Sequence, residues 1–371
     1  MPAVEDVRVL DRGGLDRLVE VLLREGYRVV GPMVRDDAIV LGELTSSAAL
    51  PAGWGVETAP GRYRLRRRDD AAVFGHSAGP QSWKRFLHPP HRALWSTGPG
   101  GEFVPAEEPG ARQAFLGVRA CDLAAIAVLG KVLAASGAFA RRRAGLFTVA
   151  ANCTEPGEVC FCASLGTGPG ASAGYDLALT ERIDDRGHRF LVDVGSPEGA
   201  RILALVTTRE AADDEVALAR DDVAAAAGKM GRALPPGDLR ALLRDSRDSP
   251  VWSEIASRCL TCGNCTMVCP TCFCTSTEEV TDVTGEHTGR AERWASCFEL
   301  DFSYVHGGSV RTSGEGRYRQ WMSHKLGTWH DQFGTSGCVG CGRCIAWCPA
   351  GIDITAEAAK LAGEGAGDAG R

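Results

Sequence analysis

The sequence predicts an α+β protein, with an α/β-type N-terminal domain followed by a mainly α-helical C-terminal domain. Three observations predict it. Short β-branched runs alternate with helical stretches through the first half. Cysteine is absent from residues 1–120 and crowded afterwards. A pattern of four cysteines closed by a proline is written twice in the last third, as "CLTCGNCTMVCP" and "CVGCGRCIAWCP". The expected divisions are 1–250, 251–356 and a flexible tail 357–371.

In chain order, the opening "MPAVEDVRVLDRGGLDRLVEVLLREGY" reads as an amphipathic helix with charges spread through it. It lacks the continuous apolar core of a secretory signal, so a cytoplasmic location is expected. "YRVVGPMVRDDAIVLGEL" and "GRYRLRRR" read as strands. Residues 114–153 have the length and pattern of a βαβ unit, which puts Cys121 and Cys153 at strand ends, where parallel sheets hold ligands. Asp122 directly follows Cys121, and its first reading is a cap on the helix between the strands. "ASLGTGPGASAG" (163–174) has neither the lysine of a P-loop nor a dinucleotide spacing, and reads as a surface loop. Residues 208–250 read as charged helix ending in a linker.

Composition limits the function. A hydrophobic share of 44% and a charged share of 24% describe an ordinary globular chain. The net charge of -6 gives no footprint for nucleic acid. No stretch approaches the roughly 18 consecutive apolar residues that a membrane helix needs. In a reducing compartment, 15 cysteines are metal ligands before they are disulfides.

Each repeat follows C-x2-C-x2-C-x3-C-P, the spacing of two-cluster ferredoxins, in which the fourth cysteine serves the other cluster. On this logic Cys259, Cys262, Cys265 and Cys348 hold one [4Fe-4S] cluster, and Cys338, Cys341, Cys344 and Cys269 hold a second. The fourth cysteine of each repeat is expected to open a helix, with its proline in the first turn. A zinc site or a dithiol pair would leave the remaining thiols of each repeat unexplained. The C-x3-C-x2-C run at Cys265, Cys269 and Cys272 also occurs in radical enzymes, but it lies too near the C-terminus for their barrel.

Upstream, Cys121, Cys153, Cys160 and Cys162 make a full ligand set, for which a third [4Fe-4S] cluster, a zinc ion or unligated thiols all stand open. Asp122 is the natural substitute ligand if one thiol is unused. Cys272, Cys274 and Cys297 are either buried structural thiols or an additional metal site short of one ligand. The histidine- and tryptophan-bearing stretch 76–95 reads as a partner-docking surface.

The stretches "GVRACDLAAI", "NCTEPGEVCFCASLGTGP", "CLTCGNCTMVCPTCFC", "RWASC", "RYRQWMSHK" and "GCVGCGRCIAWCPAGID" together resemble the iron–sulfur β subunit of cytoplasmic NAD(P)-linked [NiFe] hydrogenases, or sulfhydrogenases. That family includes the corresponding iron–sulfur subunit of anaerobic sulfite reductase. The resemblance implies a ferredoxin-like helical dicluster domain and an electron-transfer role without a catalytic residue of its own. It also implies partners: a flavin/NAD(P)-binding subunit and the catalytic subunit of a hydrogenase or sulfite reductase. A stand-alone iron–sulfur reductase is the reading from another class.

Overall fold

Short apolar runs bounded by turn residues pair into an eight-stranded mixed sheet. The computed structural model describes residues 7–98, 100–106 and 112–368. Strand order across the sheet is Arg209–Glu210, Arg8–Asp11, Gly187–Val194, Leu177–Asp184, Leu146–Ala151, Gln113–Val118, Arg28–Arg35, Ala38–Glu43. The run from Leu177–Asp184 to Arg28–Arg35 is parallel, and the strands on either side of it are antiparallel.

Parallel strands covered on both faces should be apolar throughout. Gln113–Val118 and Leu146–Ala151 are buried at every residue but the first. Ala114, Leu116, Phe147 and Val149 face a core shared with Leu15, Leu18 and Leu22 of the helix Arg12–Arg24. Phe115, Val118 and Ala150 face the opposite core, with Leu123, Ile126 and Leu129 of the helix Ala120–Val132.

The N-terminal helix begins later than expected. Asp11 accepts a hydrogen bond from Gly14 N at 2.7 Å and caps a helix starting at Arg12, while Arg8–Asp11 joins the sheet. Residues 1–6 of the expected helix lie outside the described residues. The βαβ unit is present, with a second short helix, Gly137–Ala144, before the return strand. The register shifts between Leu116 and Val118. Gly117 there has φ 86°, and a Cβ on it would stand 2.8 Å from Phe74 Cε1. This bulge bends the chain at the strand end that delivers Cys121.

The region 251–356 carries strands as well as helices. Thr275–Thr281 and Thr288–Trp294 form a hairpin that pairs with His91–Thr97, which in turn pairs with Phe103–Pro105. The β-branched Thr275, Thr277, Val280 and Thr281 of "TSTEEVT" are the strand signal. Helical pieces surround the cysteines, on a core that includes Trp252, Ile255, Trp321, Met322 and Ile345. Phe161, from the N-terminal half, packs into the same core.

The expected tail is also corrected. Ile354–Asp368 is a helix, and Ala358 and Leu361 are buried. Glu357 anchors it by accepting from Arg258 at 2.7 Å and pairing with Lys360 at 3.1 Å. Residues 369–371 lie outside the described residues. Among the described residues no helix is long and apolar enough to cross a membrane.

Candidate iron–sulfur centres

The two repeats fold alike. Each makes a loop and then a one-turn helix, Asn264–Met267 or Arg343–Ala346. Left-handed glycines precede both helices, Gly263 at φ 73° and Gly342 at φ 74°. Two residues earlier stands another left-handed residue, Thr261 at φ 51° or Gly340 at φ 65°. That turn aims Thr261 N at Cys259 Sγ and Gly340 N at Cys338 Sγ, both at 3.4 Å. Ile352 N reaches Cys348 Sγ at 3.3 Å. Such N–H donors stabilise negative charge on sulfur and so favour a reduced cluster.

The fourth cysteines do not open helices. Cys269–Pro270 leads into an extended segment that becomes the strand Thr275–Thr281. Cys348–Pro349 enters a turn closed by Gly351 N on Cys348 O at 2.9 Å, and the next helix starts only at Ile354.

Cys259, Cys262, Cys265 and Cys348 line one cavity, which Cys344 of the second repeat also reaches, walled by Phe298, Tyr318, Trp321, Ile352 and Ile354. Chain-distant cysteines around an apolar chamber fit a cubane. Burial pushes the Cys265 thiol well up, and Cys297, Cys259 and Cys348 add to the effect. Cys262 is the exposed member.

Cys338, Cys341, Cys344 and Cys269 also gather. Burial pushes Cys344 well up, followed by the charges of Cys338, Cys341 and Cys269. Cys338 is pushed up to about 12 by burial, against the pull of the Gly340 N–H. Cys269 is pulled down by a hydrogen bond from Cys272 and by the Lys325 ammonium. Iron would supply the positive charge that lets the buried thiols bind as thiolates.

The upstream cysteines are neighbours too. Cys121 sits in the first turn of Ala120–Val132, Cys153 follows Leu146–Ala151, and Cys160 and Cys162 lie in the loop beyond. Cys160 and Cys162 are each pushed up to about 12 by burial and then by Cys153. Cys121 is pushed well up by burial, Asp122, Cys162 and Cys341. Cys341 of the second repeat is therefore a neighbour of this set.

Backbone contacts make that junction tight. Phe161 N donates to Gly340 O at 2.9 Å, and Thr167 Oγ1 to Val339 O at 2.8 Å. A Cβ on Gly340 would stand 2.5 Å from both Cα and N of Cys162. The glycine-rich segment 163–174 packs on the quartet, since a Cβ on Gly168 would meet Cys162 Sγ at 2.8 Å. It is not a plain surface loop. Asp122 neither caps its helix nor turns to the sulfurs as a spare ligand. Both its oxygens accept from Arg343, at 2.8 and 2.9 Å, in a buried pair.

Cys272, Cys274 and Cys297 stand beside two buried lysines, Lys84 and Lys325, which the sequence did not mark as buried charges. Lys84 Nζ donates to Cys272 O at 2.9 Å and lies over the Trp294 ring at 3.7 Å. Lys325 Nζ donates to Thr271 Oγ1 at 3.0 Å and lies over Trp329. Burial works against the Lys325 charge, but Cys269, Cys272 and Cys338 outweigh it and raise its pKa. Burial lowers Lys84, against the pull of Cys272 and Cys269. Lys325 sits in a π-helical turn, His324–Thr328, a form that recurs at functional sites.

The first part of the histidine-rich stretch is core, while His91 and Ala93 at its end are exposed. His76, Trp83, Lys84 and His88 are buried, and burial lowers His76 to about 3 and His88 to about 4. Among the described residues no three His, Cys, Asp or Glu side chains converge on a point that could hold a single metal ion.

Comparison with known proteins first defines the class. The family described as "4Fe-4S dicluster domain" matches residues 258–352, a span containing both repeats. The C-terminal region is thus an iron–sulfur domain of the [4Fe-4S] type. Sulfhydrogenase 2 subunit beta of Pyrococcus furiosus is 34% identical over 245 residues, covering 64% of this chain and 70% of that protein. The chain belongs to the family of hydrogenase iron–sulfur β subunits. No solved structure matches it.

Proposed function

We propose that this chain is the electron-relay subunit of a multisubunit cytoplasmic oxidoreductase, a [NiFe] hydrogenase, carrying single electrons between a flavin/NAD(P)-binding subunit and the subunit with the catalytic metal. Three [4Fe-4S] clusters do the carrying. Cys259, Cys262, Cys265 and Cys348 hold the first; Cys338, Cys341, Cys344 and Cys269 the second; Cys121, Cys153, Cys160 and Cys162 the third. The carrying observation is their contiguity. Cys348 of the second repeat lines a cavity with Cys259, Cys262 and Cys265 of the first, and the second repeat touches the upstream cysteine loop through Phe161 and Gly340. Each cluster would supply a one-electron redox couple, and the chain's part is to ligate it, donate N–H groups to its sulfurs and keep water away.

The test is anaerobic iron and acid-labile sulfide analysis with EPR on the purified chain. Wild type should hold about twelve irons per chain and Cys160→Ala about eight. About eight irons in both would remove the third cluster. A chain without reducible clusters would end the relay reading.

A further inference from the structure

The helix Gly314–Ser323 separates two environments. Tyr318 and Trp321 on one face wall the cavity of Cys259, Cys262, Cys265 and Cys348. Gly316, Arg319, Gln320 and Ser323 on the other line a surface groove of about 650 Å³. Only one helix, about 10 Å across, lies between.

The groove's charge opposes that of the whole chain. Arg240, Arg244, Arg247, Arg311 and Arg319 line it, with Asp331 as the one carboxylate among its lining residues, although the net charge is -6. Arg240 pairs with Asp331, Arg244 with its neighbour Asp245, and Arg319 with Glu315 at 3.7 Å. Among the described residues, Arg247 and Arg311 have no carboxylate partner. The groove also adjoins the most exposed cysteine loop, since a Cβ on Gly314 would stand 2.9 Å from Thr261 Cγ2. Apolar side chains project to solvent beside it: Leu260 is 65% exposed, Tyr304 62% and Val310 66%. Val310 N and Arg311 N both bond Ser303, which fixes that hairpin at the rim. Exposed apolar groups rimmed by arginine mark interaction sites.

We propose that this face docks the carboxylate-rich surface of a low-potential electron-carrier protein, so that electrons enter or leave through the cluster of Cys259, Cys262, Cys265 and Cys348. The inference rests on the relay reading above. One electron passes: the reduced carrier is oxidised, the cluster is reduced, and no bond or proton moves. The arginines steer the encounter, and Leu260, Tyr304 and Val310 seat it. A dinucleotide phosphate fits less well. The helix N-terminus at the groove has its Gly316 N–H taken by Ser313 Oγ at 3.0 Å, and it carries Glu315, which repels an anion.

The test uses the anaerobically reconstituted full chain, with a reduced acidic two-[4Fe-4S] ferredoxin as probe and cluster reduction followed by stopped-flow absorbance. Arg244→Glu/Arg247→Glu/Arg311→Glu should lower the second-order rate constant at low salt at least about tenfold and abolish its salt dependence. Tyr304→Asp/Val310→Asp should lower the rate at high salt as well. Both variants should keep the wild-type melting temperature and extent of reduction by dithionite. Equal rates in wild type and triple variant would overturn the docking site. So would a wild type inert to the ferredoxin, or NADPH binding to wild type that the triple variant loses. In each of those cases normal dithionite reduction would leave the relay reading standing, whereas clusters that dithionite cannot reduce would strike the relay itself.

Discussion

The repeat at Cys259–Pro270 and the repeat at Cys338–Pro349 share spacing, paired left-handed turns and an N–H bond to the first sulfur. Their surroundings differ at three matched positions. The second cysteine is exposed at Cys262 and half-buried at Cys341. The early left-handed residue is Thr261 in one and Gly340 in the other. The residue opening the short helix is Asn264, which donates to Trp347 O, or Arg343, which pairs with Asp122. Identical spacing thus builds loops of the same shape, and the neighbours decide whether a loop faces solvent or the interior of the chain.

The largest expected effect breaks the interior member at its ion pair. Arg343→Met leaves the Asp122 carboxylate buried without its partner and should cost about 3–5 kcal/mol. Asn264→Ala, at the matched position, loses one hydrogen bond and should cost about 1 kcal/mol. Adding Asp122→Leu to Arg343→Met should recover most of the loss, because the uncompensated charge is then gone. Thermal unfolding of the four proteins measures this, and equal costs at the two positions would remove the distinction.

A somewhat smaller effect exchanges the left-handed residues. Gly340→Thr drives a Cβ into the Cys162 backbone, which cannot swing aside as a side chain can. About 3 kcal/mol of destabilisation and loss of iron bound near Cys341 should follow. Thr261→Gly relieves a β-branched residue of a left-handed conformation and should stay within about 1 kcal/mol of wild type with its iron intact. Melting temperature and iron content report both, and matched behaviour would mean the two loops see the same surroundings.

These contrasts mark the limit of what the sequence could show. Cluster loops are local objects, so C-x2-C-x2-C-x3-C-P was legible without any tertiary information. Cys121 and Cys153 were legible for a related reason: a βαβ unit is one continuous stretch, and its strand ends coincide in space. Asp122 was misread because its partner, Arg343, lies 221 residues away. Lys84 and Lys325 lay inside stretches the sequence marked, but neither stood out as a buried charge, since a lone lysine looks solvated until packing buries it. The stretch 76–95 read as a docking surface because its polar and aromatic residues gave no sign of which face the core would take. The tail from Glu357 looked loose for its glycines, yet Arg258, 99 residues earlier, holds it.

The smallest expected effect concerns potential, and it bears directly on the difference between the loops. Lys325 is a buried cation acting on Cys269 and Cys338, while Arg317, partly open to water, acts on Cys259. Water and salt screen the second charge more than the first. Removing a cation disfavours the extra electron of a reduced cluster. Lys325→Met should therefore lower the midpoint potential of the cluster proposed at Cys338, Cys341, Cys344 and Cys269 by roughly tenfold in its reduction equilibrium, about 59 mV for one electron. Arg317→Met should shift the other cluster in the same direction by well under half as much. EPR-monitored redox titration separates the two couples. A Lys325 shift no larger than that of Arg317 would mean that solvent reaches both loops alike, and that the burial contrast carries no electrical consequence.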